Sequence, residues 1–470
     1  MPKEFIAELY NIIGKPYVLT DLSDQKKYVS DWFGRESGKA IAVARPSSTK
    51  EIAEIIKLCQ RHKVCIVPQG GNTGLVGGGL PDKSGKEFVL SLERINKIRS
   101  IDPIGKTIVV DAGLILENLH HYANQYGMEF PLTMGSQGSA TIGGLLSTNA
   151  GGTSVVRYGN ARDLCLGIEV VTSEGIIWDG LRSLRKNNTG FDLKNLYIGS
   201  EGTLGIITGA VLKLIPSPKV KLSALLSINS PSLAVKLLEF VQSKANSQLT
   251  AFELISDTCL SLVEKYFPQY FYPFQTKTPY CILLEISDNE SEDHAFELLK
   301  TILEESLDKA FITDAIIPQS LTQSNKFWEI REHIPLSQVE DGKNIKHDIS
   351  LPISLIPDFL EKAKKIILDK FPNSRIIDFG HLGDGNIHYN VAAPLNDDAD
   401  QFMVNKDNIN NLIHELVHSL DGSISAEHGI GAYKAHELIK FKSPIELHLM
   451  RQIKNSLDPN YIFNPRKVLV

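Results

Sequence analysis

Val64-Cys-Ile-Val-Pro-Gln-Gly-Gly-Asn-Thr-Gly-Leu-Val-Gly-Gly-Gly79 carries a short apolar strand directly into a glycine-rich loop. Upstream, Ala40-Ile-Ala-Val-Ala44 reads as another strand, and Ser48-Thr-Lys-Glu51 has capping-box spacing for a helix from Ile52 to His62. Strand, helix, strand and loop in this order make α/β construction. Further strands are expected from Phe88 to Leu92, Thr107 to Asp111, Ile168 to Thr172 and Gly205 to Leu214. A second glycine cluster follows, Gly135-Ser-Gln-Gly-Ser-Ala-Thr-Ile-Gly-Gly-Leu-Leu-Ser-Thr-Asn-Ala-Gly-Gly152. Glycines interleaved with Asn, Ser and Thr let backbone N–H groups converge on an anion, and a diphosphate is the natural guest.

The common nucleotide signatures do not account for these loops. No G-x-G-x-x-G follows a strand, and Gly105-Lys-Thr107 lacks the first Walker glycine because Ser100 stands there. At 470 residues, 42% apolar and 22% charged, the chain is an ordinary globular protein long enough for two or three domains. Its net charge of −6, from 49 basic and 55 acidic residues, supplies no basic field for nucleic acid. Five cysteines at 59, 65, 165, 259 and 281 form no C-x-x-C pair and read as reduced, mostly buried thiols. The start has no signal-peptide pattern, which points to the cytoplasm, with peripheral membrane contact left open.

After Ile215-Pro-Ser-Pro-Lys219 the texture changes. Strands from Ser223 to Ser227 and Tyr280 to Ile286, separated by long amphipathic helices, indicate an α+β second domain. The stretch from 345 to 395 reads as strand-rich, and helices follow to Asn464-Pro-Arg466. Within it, Asp378-Phe-Gly-His-Leu-Gly-Asp-Gly-Asn-Ile-His388 sets two histidines symmetrically about Asp384-Gly385, the favoured centre of a two-residue hairpin turn. A tight turn makes His381 and His388 cross-strand neighbours, roughly 4.5–5.5 Å apart at Cβ. Two imidazoles so placed can share a divalent ion if Glu427, in Ser425-Ala-Glu-His-Gly-Ile-Gly431, completes the set. A competing signal is His414-Glu-Leu-Val-His418, a formal zinc-protease motif. Both of its histidines fall off the apolar helix face and read as solvent-exposed, and a protease leaves the glycine clusters unexplained.

Pro68-Gln-Gly-Gly-Asn-Thr-Gly-Leu75, Ala140-Thr-Ile-Gly-Gly144, Asn149-Ala-Gly-Gly152, Arg157-Tyr-Gly-Asn160 and Tyr197-Ile-Gly-Ser-Glu-Gly-Thr-Leu-Gly-Ile-Ile207 resemble the FAD-binding domain of the vanillyl-alcohol oxidase and p-cresol methylhydroxylase (PCMH) type. The C-terminal signatures are similar to those of FAD-linked D-2-hydroxyacid dehydrogenases, a group that includes D-2-hydroxyglutarate dehydrogenase, D-lactate dehydrogenase and the D subunit of glycolate oxidase. The resemblance implies an α+β chain. A PCMH-type FAD-binding domain of two α/β subdomains spans 1–217. An FAD-linked oxidase C-terminal domain spans 218–470, an α+β substrate or cap domain whose last helices return to the FAD domain.

By the same resemblance FAD is held by Pro68, Gln69, Gly70, Gly71, Asn72, Thr73, Gly74 and Leu75. The second cluster contributes Gly135, Ser136, Thr141, Gly143, Gly144, Asn149 and Gly151, and Glu201, Gly202, Ile207 and Asn464 complete the pocket. Covalent members carry a histidine or cysteine at the attachment points; the first loop has neither, which implies non-covalent FAD. His381, His388 and Glu427 are implied as ligands of a divalent metal, for which zinc suits the residue types. His428 is the implied base. Arg331, in Phe327-Trp-Glu-Ile-Arg-Glu-His-Ile-Pro335, and Lys346, in Asn344-Ile-Lys-His-Asp-Ile-Ser350, match the region holding the substrate carboxylate. Asn386 is a hydrogen-bonding partner of substrate or, on its own chemistry, a turn residue tolerating positive φ. D-2-hydroxyglutarate dehydrogenases commonly place a hydroxyl residue four after this arginine. Here Pro335 stands instead; it offers no donor and weighs against a glutarate-type substrate.

The implied activity is oxidation of a small D-2-hydroxyacid to the 2-oxoacid, hydride passing to flavin N5. The resemblance implies a quinone or an electron-transfer flavoprotein as electron acceptor, and a homodimer is compatible with the sequence. A non-catalytic flavoprotein subunit is the remaining alternative.

Overall fold

The computed structural model describes residues 2–32, 34, 36–395 and 397–470. Its 64–79 stretch begins with the strand Cys65–Gln69, which pairs in parallel with Glu87–Ser91; that strand in turn pairs in parallel with Ala40–Ala44. The helix Thr49–His62 makes the connection, burying Ile52, Ile55, Ile56 and Cys59. It starts three residues before the expected Ile52. The Ser48 side chain accepts from Glu51 N at 3.2 Å, while Glu51 reaches Ser47 N at 2.6 Å rather than closing the capping box on Ser48. A five-stranded antiparallel sheet follows, ordered Ile98–Asp102, Thr107–Asp111, Ile206–Lys213, Cys165–Val171, Ile177–Gly180.

Two compact units result. One comprises Met1–Gly152, Gly159–Ser217 and Glu427–Val470; the other comprises Thr153–Tyr158 and Pro218–Ala426. The C-terminal segment joins the first unit through backbone bonds from Ile66 N to Ile462 O and from Asn464 N to Ile66 O, both 2.7 Å. A buried lysine reinforces this return. Lys454 Nζ donates to Thr203 O (2.6 Å), Asp458 Oδ2 (2.6 Å) and Phe463 O (3.0 Å).

The second unit is built on a sheet ordered Asp314–Ile316, Val220–Ile228, Tyr280–Asp288, Leu249–Ser256, Arg375–His381, Asn386–Ala392, Asn344–Ile345, with Asp348–Ser350 also pairing Asn386–Ala392. Side chains alternate between two apolar cores. Phe252, Leu254, Ile387, Tyr389 and Val391 enter one, with the helices Pro231–Ala245, Glu292–Asp308, Ile356–Lys370 and Lys406–Ser419. Ile255, Ile377 and Phe379 enter the other, with Asp257–Tyr266 and Leu321–Asp341. Glu253, His381, Asn386 and His388 therefore share the second face.

The strand Leu249–Ser256 was not among the expected ones. All its residues are buried, so it lacks the alternation that marks a half-exposed strand. The 345–395 stretch also holds the 15-residue helix Ile356–Lys370 between its strands. Cys59, Cys165, Cys259 and Cys281 are buried and Cys65 half-buried, all as free thiols. Among the described residues, no helix is long and apolar enough to cross a membrane.

Asp458 is fully buried and relies on Lys454 for its counter-charge. Lys454→Ala should destabilise the protein by about 3–5 kcal/mol, because it strands a buried carboxylate. Lys454→Met with Asp458→Leu should recover much of that loss. Urea denaturation checks both; a single variant no less stable than wild type removes this pair from the account.

Candidate active site

In the first unit, the loop after Cys65–Gln69 is braced from outside. Gln69 Nε2 donates to Tyr28 O and Gly79 O, both at 2.8 Å, and Asn72 Nδ2 donates to Ser30 O at 2.8 Å. Gly71 has to be glycine, since a Cβ there would lie 1.9 Å from Ser139 O of the second cluster. Thr141 Oγ1 faces Gly70 and, like Asn464 Oδ1, is buried without a partner. Among the described residues, the backbone N–H groups from Gly70 to Leu75 donate to no protein acceptor. Gly74 and Gly135 border open space. Consecutive unused amide donors beside an orphaned hydroxyl fit a diphosphate and hence FAD.

Other residues expected at FAD also make contacts within the protein. Glu201 Oε1 and Oε2 accept from Ile430 N and Gly431 N, each at 2.7 Å, which pins the loop bearing Glu427 and His428. Burial pushes the Glu201 carboxyl up despite those two donors. Asn464 Nδ2 donates to Glu201 O at 2.7 Å and Gly78 O at 2.9 Å. Gly143 packs on Ala112, Gly202 on Pro68, and Asn149 Oδ1 accepts from Arg162 N at 2.9 Å. Ile207 is buried in its strand, whereas Leu75 is partly exposed. In the pinned loop, His428 Nε2 lies 3.6 Å from Glu427 Oε1, and both side chains are about a quarter exposed.

In the second unit the histidine hairpin is not the tight turn expected. A 3₁₀ turn, Leu382–Asp384, and Gly385 at φ 88° separate the strands. Phe379, not His381, stands opposite His388. The two imidazoles are diagonal neighbours, their ring centroids 5.8 Å apart at 73°. Gly385 takes the positive φ, so Asn386 is a strand residue. Its Nδ2 donates to Asp348 Oδ1 (3.0 Å) and Ile349 O (2.9 Å). Asp348, opposite His388 in the sheet, has Oδ1 3.8 Å from His388 Nδ1, and Oδ2 accepts from Ala426 N at 3.2 Å.

The residue that organises this face is Glu253, which no motif or alternation in the sequence marks. It stands opposite His381 in the sheet and is fully buried. Oε1 contacts His381 Nδ1 at 2.6 Å, and Oε2 accepts from Arg331 Nε at 2.7 Å. Burial raises its carboxyl, but His381 and Arg331 prevail and hold it at about 2. Arg331 is only 8% exposed, with its guanidinium carbon 4.8 Å from the Phe379 ring centroid. Its terminal nitrogens donate no hydrogen bond to the protein among the described residues. Lys346 is exposed in the break between Asn344–Ile345 and Asp348–Ser350.

His388, with Asp348 Oδ1 3.8 Å from its Nδ1, and the neighbouring imidazole of His381 are of the residue types that hold a divalent ion such as zinc. With Nδ1 facing Glu253, coordination by His381 would use Nε2. The other histidine motif is not a site of this kind. Contrary to expectation His414 is buried, edge-on to His347 at 5.4 Å, while Glu415 and His418 are exposed.

Two family models match the chain: an FAD binding domain over residues 40–180 and the C-terminal domain of FAD linked oxidases over 217–468. D-2-hydroxyglutarate dehydrogenase, mitochondrial, of Arabidopsis thaliana is 36% identical over 471 residues, covering 99% of this chain and 81% of the relative. D-2-hydroxyglutarate dehydrogenase of Stutzerimonas stutzeri (strain A1501) is 34% identical, covering 98% of both. p-Cresol methylhydroxylase, solved with substrate bound, shares the fold at a TM-score of 0.79 and 14% identity, over 99% of this chain and 96% of that one. The second family model alone spans more than half of the sequence, and the chain belongs to the FAD-linked D-2-hydroxyacid dehydrogenases, oxidoreductases of the PCMH-type fold.

Proposed function

We propose that this oxidoreductase converts a D-2-hydroxyacid to its 2-oxoacid with non-covalently held FAD and a divalent metal ion. The observation that carries the reading is Arg331: a buried guanidinium whose Nε is fixed by Glu253 and whose terminal nitrogens have no protein partner among the described residues. Such a group is poised for a two-point grip on a carboxylate. From its helix it reaches, through Glu253, the sheet face that carries His381 and His388, residue types suited to a metal ion. When bound, FAD supplies at N5 an acceptor for the hydride from substrate C2, and the metal supplies positive charge beside the α-oxygen.

The chain's own residues divide the remaining work. Arg331 and Lys346 hold the carboxylate. His381, His388 and Glu427 hold the ion, and His428, next to a ligand but outside the set, takes the hydroxyl proton. Asn386 keeps Asp348 in place and is a hydrogen-bonding partner of substrate. The amides from Gly70 to Leu75 hold the diphosphate. A quinone or an electron-transfer flavoprotein completes turnover.

The names of the relatives favour D-2-hydroxyglutarate, whereas Pro335 favours a substrate with a smaller side chain. Pro335 lies one helical turn beyond Arg331, where it can donate nothing to a second carboxylate and leaves Arg331 O without its helical N–H partner.

Anaerobic addition of a panel of D-2-hydroxyacids to the yellow protein should bleach the flavin with at least one member; no bleaching by D-lactate, D-2-hydroxyglutarate or glycolate sinks the enzyme reading. His428→Ala should keep the yellow colour and lower kcat by about 10²–10⁴-fold, the ordinary worth of a positioned base. Unchanged turnover would remove His428 from that role. Pro335→Thr restores a backbone N–H and adds a hydroxyl. It should raise kcat/KM for D-2-hydroxyglutarate relative to D-lactate by about tenfold, the weight of one hydrogen bond to a charged group. Steady-state kinetics on the two acids would refute this if the ratio stayed put.

A further inference from the structure

We propose that Glu253 is a positioning residue that ties the metal ligand to the substrate clamp: one buried carboxylate sets both the tautomer of His381 and the orientation of Arg331. The inference rests on the functional reading above. No sequence motif marks Glu253; the sheet register brings it there, opposite His381 and on the face that also carries Phe379 and His388.

Each carboxylate oxygen has its own partner, Oε1 with His381 Nδ1 at 2.6 Å and Oε2 with Arg331 Nε at 2.7 Å. A carboxylate accepts and does not donate, so the short Oε1 contact places the proton on Nδ1. With the imidazole neutral, as a metal ligand is, its unshared pair is then on Nε2. The second oxygen takes Nε and leaves the outer edge of the guanidinium to another carboxylate. The Phe379 ring limits swing of the same guanidinium from one side.

The arrangement also accounts for a carboxylate at a fully buried position. Without a counter-charge its desolvation would outweigh what two neutral hydrogen bonds return. Arg331 supplies that charge. Loss of Glu253 therefore affects two sites together, which an isolated structural ion pair would not do.

Glu253→Gln conserves volume and reverses the donor pattern at one oxygen. The glutamine oxygen serves Arg331, its NH₂ faces His381 Nδ1, and the imidazole proton moves to Nε2, the metal-facing nitrogen. Zinc affinity, measured by competition with a chromophoric chelator, should fall about 10–100-fold, the usual loss for a residue supporting a metal ligand. Binding of oxalate, read from the perturbed flavin spectrum, should weaken in parallel. Zinc affinity within twofold of wild type, in a folded variant, overturns the coupling.

If Glu253→Gln does not fold, the ¹⁵N resonances of His381 in metal-free wild-type protein give the answer. A proton on Nδ1 supports the inference; an unprotonated Nδ1 overturns it. A wild-type protein that binds no zinc in the same titration overturns the metal reading and the coupling with it. That outcome is distinct because the wild type, not the variant, fails.

Discussion

Glu253 has no access to water, and its burial constrains the sheet face of the second unit that carries His381 and His388. A buried carboxylate needs a counter-charge and donors for both oxygens, and only residues already brought to that face can meet the need. His381 meets it across the sheet and Arg331 from the helix Leu321–Asp341. The strand pairing, the helix position and two side-chain orientations are therefore not independent. His388 joins by register, diagonal to His381, with Asp348 behind it.

The first unit follows a different logic. Its loop from Gly70 to Leu75 keeps backbone donors unused while the side chains of Gln69, just before it, and Asn72, within it, hold the loop in place. Side chains thus brace this loop, and its backbone donors are left over. Glu201 extends this pattern by capping two amides of the Glu427–Gly431 loop, so that a carboxylate helps to hold the loop carrying His428. FAD-linked oxidoreduction is shown by family membership, and the FAD diphosphate is the guest we propose for these donors.

The sequence was most legible where local chemistry dictates structure. Two long glycine clusters require close backbone approach, and helix capping at Ser48 follows from its hydroxyl. It was least legible where burial erases pattern. Leu249–Ser256 is covered on both faces, so neither the strand nor Glu253 announced itself by alternation; the one available signal was a lone carboxylate in an apolar run. The histidine hairpin misled for another reason. Asp384-Gly385 favours a two-residue turn, but the local chain adds a 3₁₀ turn and shifts the register, so that Phe379 faces His388. His414 failed similarly, since its helix buries a wider face than the aliphatic stripe implies. Roles for Glu201 and Asn464 as braces depend on long-range contacts that spacing cannot encode.

The central claim is that the Glu253-oriented face around His381 and His388 is a metal half-site serving oxidation of a hydroxyacid. Anomalous scattering at the zinc edge, from crystals of protein whose flavin is bleached by substrate, tests it most directly. The account predicts a peak bonded to His381 Nε2 and to His388 at about 2.0–2.1 Å, the usual zinc–imidazole distance, with Glu253 still on His381 Nδ1. No peak at that position in such active crystals, or a peak at His414 and His418 instead, would contradict it.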